Sequence, residues 1–139
     1  MKVTSDVNIL VSSMIAPFGT PRSIITAWRE GSLELVISNG IINEVAEKLK
    51  LPRIKKKYKL TDKQIKSAIT TLKYNAQLSE PQEIQSVTGD PEDDYVLATA
   101  LQGGAEYLIT GDIPLQNLKV YRSVKILSPK EFIKVFKKD

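Results

Sequence analysis

The chain has 139 residues, with 20 Lys and Arg against 16 Asp and Glu for a net charge of +4, and apolar residues make up 42%. That length and apolar content suit one domain with its own core and exclude a disordered chain. Cysteine and histidine are both absent, which excludes disulfides, thiolate or imidazole metal sites and Ser-His or Cys-His catalysis. Any metal has to be held by oxygen, and acid-base chemistry falls to carboxylates, Lys, Tyr or water on a metal.

In chain order, residues 2–6 read as a short strand running into an apolar stretch, residues 9–15. Asp6 and Asn8 interrupt the start of that stretch as a signal-peptide core would not allow, and no run approaches the roughly 20 apolar residues of a membrane helix. A soluble, cytoplasmic setting is expected, with no membrane partner. Pro17, Gly19, Thr20 and Pro21 break the chain. Thr20 can cap a helix with Pro21 at its first position, running to about residue 30 and ended by Gly31. Residues 33–37 read as a buried strand, with Ser38, Asn39 and Gly40 as the turn after it. Ile41, Ile42, Val45, Ala46 and Leu49 then recur at helical spacing until Pro52 stops them. A basic stretch, residues 53–59, precedes a helix opened by a capping box, Thr61 with Gln64.

Residues 84–87 read as a third strand. Gly89, Asp90 and Pro91 lead into a helix closed by Gly103 and Gly104. Residues 107–110 and 124–127 read as further strands. Ser128, Pro129 and Glu131 open the last helix with a second capping box. Strands alternating with helices imply a parallel, doubly wound α/β sheet, whose ligands sit beyond the carboxyl ends of the strands.

That rule singles out acidic residues. Asp6 closes the first strand and Asp112 follows the fourth, so both emerge at one sheet edge. Carboxylates brought together in a cleft need a shared proton or a cation, and without His or Cys the suited cation is Mg²⁺ or Mn²⁺. Glu44 flanks the apolar stripe of its helix and can reach such a cleft, whereas Glu47 points about 170° away from the stripe. In Asp90-Pro91-Glu92-Asp93-Asp94, both Asp93 and Asp94 fall on the apolar half of their helix, and periodicity does not choose between them. Each acid taken alone also reads as a turn former, a helix cap or a solvated residue. The metal reading rests on four segments meeting at one edge.

The ordered set of motifs resembles the PIN-domain family of metal-dependent nucleases, which includes the VapC-type toxins. The likeness begins at Asp6-Val7-Asn8-Ile9-Leu10-Val11-Ser12 and continues through Leu35-Val36-Ile37-Ser38 with Glu44 in the helix that follows. It is strongest in Asp90-Pro91-Glu92-Asp93-Asp94-Tyr95-Val96-Leu97-Ala98-Thr99-Ala100 and in Tyr107-Leu108-Ile109-Thr110-Gly111-Asp112. Residues 126–132 resemble the tail of a subgroup of toxin-like components. The resemblance covers almost the whole chain as one domain, residues 1–139. It implies a three-layer sandwich with a central parallel sheet of about five strands flanked by helices.

Carried over residue by residue, it implies Asp6, Glu44, Asp94 and Asp112 as catalytic, metal-binding acids, selecting Asp94 over Asp93. It also implies Asn8, Ser38 and Thr110 as hydrogen-bonding supports of those acids. Two positions depart from the family pattern. Pro114 stands where members often carry a further acid, and Ser5 stands where an aliphatic residue is common.

The implied activity is phosphodiester hydrolysis with Mg²⁺ or Mn²⁺, most directly of RNA. Arg53, Lys55, Lys56 and Lys57 are candidate phosphate contacts, though such runs are commonly just solvated surface. A small antitoxin and a homodimer are further implications of the resemblance. The competing reading is an RNA- or partner-binding module that kept the fold and lost catalysis, and Pro114 points that way. A phosphoacceptor signalling domain would need a Lys directly after a later strand, and Lys119 and Lys130 do not stand there.

Overall fold

A computed structural model describes residues 1–16 and 19–138, the side chain of Lys138 excepted; Pro17, part of the expected chain break, lies outside them. The fold is built outward from a short, buried strand. In β1 (Lys2–Ser5) Val3, Thr4 and Ser5 are all inaccessible, as befits a parallel strand covered on both faces. It pairs in parallel with β2 (Glu34–Ile37) on one side and β4 (Tyr107–Ile109) on the other. The sheet continues to β3 (Gln77–Leu78) beyond β2, and to β6 (Val124–Leu127) and then β5 (Val120–Tyr121) beyond β4, in the order β3-β2-β1-β4-β6-β5. Five strands run parallel and the edge strand β5 is antiparallel. The expected parallel α/β sandwich is thus present, with one extra antiparallel edge.

Among the described residues eight helices flank the sheet: α1 (Val7–Ile15), α2 (Thr20–Arg29), α3 (Asn39–Leu49), α4 (Pro52–Tyr58), α5 (Asp62–Asn75), α6 (Pro91–Gln102), α7 (Ile113–Gln116) and α8 (Pro129–Lys138). α1 packs against α2 and α3, and α3 against α5, while α6 lies across β1, β2 and β4. The chain winds from β1 towards β3, then returns through α6 to β4 on the other side of β1. Right-handed crossovers therefore place α6 on the face opposite the first group. The point of reversal, at β1 and β4, is where ligands of open α/β sheets bind.

Several local readings need correction. The apolar run of residues 9–15 is helix α1, capped by Asp6, whose carboxylate accepts from the Ile9 N–H at 2.9 Å. Ser38 is not a turn residue but the cap of α3. Pro52 opens α4 as well as following α3, its fixed φ suiting a first helical turn. Residues 84–87 are not a strand: Ile84 is half exposed and the Val87 N–H is taken by a side chain. β3 instead lies at Gln77–Leu78, directly after α5. Both expected capping boxes are formed, Thr61 with Gln64 and Ser128 with Glu131.

Candidate active site

Register puts the first two acids together. Val3 stands opposite Leu35, and Ser5 opposite Ile109. One step further on, Asp6 emerges between Ser38 and Thr110, and its N–H donates to the Ile109 carbonyl at 3.2 Å. Asp6 caps α1 with one carboxylate oxygen and accepts the Thr110 hydroxyl on the other at 2.5 Å. The same hydroxyl oxygen accepts the Asp112 N–H at 3.0 Å, and Asp112 caps α7 by accepting from the Leu115 N–H at 3.1 Å. Thr110, fully buried, is therefore the pin between the two acids. Burial pushes the Asp6 carboxyl above its ordinary range; hydrogen bonds from Thr110, Ile9 and Gly111 offset this, and Asp112 adds to it.

The third acid comes from the start of α6, and it is Asp93. Asp90 caps this helix, accepting from the Glu92 N–H at 2.9 Å. Asp93 then lines the same cavity as Asp6 and Asp112. Burial, the contact with Asp112 and the charges of Asp112, Asp90 and Asp6 push Asp93 up to about 7. Asp94, the residue selected by the family pattern, is turned about 100° further round the helix. One of its oxygens accepts from the Val87 N–H at 3.1 Å, the Thr88 N–H at 2.8 Å and the Thr88 hydroxyl at 2.9 Å. Burial raises its carboxyl, but these bonds prevail and hold it below the usual range. Asp94 ties down the loop before α6 and does not enter the cleft. Adjacent carboxylates satisfy the same sequence pattern, and of the two it is Asp93 that lines the cavity.

The fourth acid, Glu44, reaches the cleft from α3, as its helical position predicts. Burial and Glu92 raise its carboxyl, Lys48 lowers it, and Glu47 raises it slightly. The other two expected supports do not bond to an acid. The Ser38 hydroxyl accepts the Ile41 N–H at 3.1 Å and so fixes the helix that carries Glu44, while Asn8 accepts from Lys48 at 2.6 Å. Sequence reasoning passed over Lys48, although its place one turn after Glu44 put it on the same face.

The result is a cavity of about 190 Å³ where Asp6, Glu44, Asp90, Glu92, Asp93 and Asp112 converge. A larger cavity, about 800 Å³ between α2, β2 and α5, is lined by one acid and one base and has no comparable chemistry. Chemistry, not size, identifies the site. Among the described residues no group of three acids stands ready-placed to hold a metal ion. What fits a divalent ion is the donor set: all oxygen, anionic, and drawn from separate segments onto one cavity. Asp6, Asp93 and Asp112, with Glu44 from α3, are the residues that would hold it. The basic run lies on exposed α4 and does not line this cavity. Lys55 there pairs with Asp62, and Lys57 sits over the Tyr58 ring at 5.3 Å.

This arrangement of acids at a sheet reversal agrees with what comparison finds: residues 2–114 match the PIN domain, and the chain belongs to that family. Its function is accordingly of the nuclease type, and the family typically works with divalent metal ions. The chain is also similar to an uncharacterized protein, MJ1680, of Methanocaldococcus jannaschii. The two are 28% identical over 146 residues, covering 99% of this chain and 93% of that one.

Proposed function

We propose that this chain is a Mg²⁺- or Mn²⁺-dependent endoribonuclease, the toxin half of a VapC-like pair. The observation that carries the reading is the convergence of Asp6, Glu44, Asp93 and Asp112 on one cavity, with Thr110 joining Asp6 to Asp112. Asp6 and Asp112 are oriented by the helix starts they cap, and Asp93 by the first turn of α6, so three rigid elements aim carboxylates at one point. A divalent ion bound there supplies charge neutralisation at a phosphate and lowers the pKa of an attacking water, chemistry that needs no histidine. Thr110 holds the spacing of two of the acids, and Glu44 closes the α3 side.

Cleavage of single-stranded RNA in Mg²⁺ or Mn²⁺ is the test. Wild type should cut, and Asp6→Asn and Asp93→Asn should lose more than the about 10–100-fold typical of residues that only support a ligand. Equal cleavage by wild type and both variants would reject the reading. The toxin assignment adds a small antitoxin, a homodimer and a cytoplasmic site of action. Unpartnered expression should then arrest growth, and Asp93→Asn should relieve the arrest.

A further inference from the structure

The cleft sets a problem for its own substrate. Six carboxylates line it, a phosphodiester is an anion, and the basic run of α4 lies outside. Among the described residues that line the cavity one is cationic, Lys48. We propose that Lys48 grips a phosphate of the bound strand next to the scissile one; this rests on the nuclease reading above.

Three features support it. Lys48 follows Glu44 by four positions on α3, so ammonium and carboxylate share a helix face. Its ammonium is held at 2.6 Å by the Asn8 side-chain carbonyl, two residues beyond Asp6 in the first turn of α1. The cation is thereby fixed relative to the acids on a neutral acceptor. Despite six neighbouring carboxylates it makes no ion pair within 4.0 Å among the described residues, so two of its three N–H donors remain for a phosphate. Finally, Lys48 stands four residues before Pro52, where α4 begins, and α3 packs against α4. α4, which carries Arg53, Lys56 and Lys57, therefore begins about one helical turn along the chain from Lys48.

The test is the salt dependence of RNA binding by the full chain, read with a fluorescein-labelled single-stranded RNA in Ca²⁺ between about 50 and 200 mM salt. Lys48→Ala should bind more weakly, and its plot of log affinity against log salt should be shallower by about 0.7, one single-strand phosphate contact. Lys48→Arg should keep the wild-type slope. A residue that merely tethers Asn8 or steadies α3 would change thermal stability and leave the slope alone. If wild type binds and cleaves but Lys48→Ala keeps its slope, the Lys48 assignment alone is overturned. If wild type neither binds nor cleaves RNA, the nuclease reading fails and takes this one with it.

Discussion

Asp93 and Asp94 are chemically identical neighbours with opposite protonation behaviour, and the difference is entirely one of direction. One helical step separates a carboxyl that shares a cavity with other acids from one embraced by two amides and a hydroxyl. A sequence pattern that reads acid, then aliphatic, then small residues is met by either, which is why the site was legible as four segments but not to the single residue. Substitution should separate the two roles. Asp93→Asn should abolish cleavage while sparing the fold, since it replaces a carboxyl whose ionisation the folded state disfavours with a neutral amide of the same shape. Asp94→Ala should cost about 1–3 kcal/mol of stability by stranding the Val87 and Thr88 donors, with a smaller loss of activity. Denaturant melts beside RNA cleavage rates check both; a cleft role for Asp94 would show as lost activity at unchanged stability.

At the scale of elements, what the sequence made legible was whatever is decided locally. Thr61 with Gln64 and Ser128 with Glu131 form capping boxes from side chains three residues apart, and no tertiary contact is needed to foresee them. Residues 84–87 look like a strand by composition, but a strand needs a partner, and the free edge beside β2 was already taken by Gln77–Leu78. That choice is tertiary, and nothing local announces it. The α6 terminus shows the same division between two adjacent glycines, both expected to end the helix. Gly104 has φ +72°, so a side chain there is strained by the backbone, about 1–2 kcal/mol. Gly103 has no such conformation, but a Cβ on it would lie 2.3 Å from a Val36 methyl, itself inaccessible in β2. Gly103→Ala should therefore destabilise the chain by about 1–3 kcal/mol through overpacking between α6 and the β2–β3 edge. Equal melting midpoints for wild type and Gly103→Ala would contradict the close approach of these elements.

For the whole molecule, an excess of positive charge conceals a concentrated negative pocket, and the two have different pH signatures. Asp93 is raised from 3.8 to about 7 in the folded chain, with burial as the largest cause. The folded state thus holds this proton more tightly than the unfolded one. Its contribution is fully present below the unfolded value and is lost as pH rises through about 7. Asp6 and Glu44 are raised as well and act in the same direction. Asp94 and Glu131 are lowered, so their contribution is present above their unfolded values and is lost only as the solution turns acidic. Between about pH 5 and pH 8 they are ionised in both states, and the slope belongs to the cleft. In EDTA the melting temperature should fall across that window. Mn²⁺ or Mg²⁺ should restore it most at the alkaline end, because an ion that binds only the folded chain stabilises it in proportion to the carboxylates free to hold it. Asp93→Asn should flatten the EDTA profile and weaken the metal response, whereas Glu34→Gln, on β2 and away from the cavity, should change neither. An EDTA profile as steep in Asp93→Asn as in wild type would mean that the acids at this sheet edge do not act as one cluster.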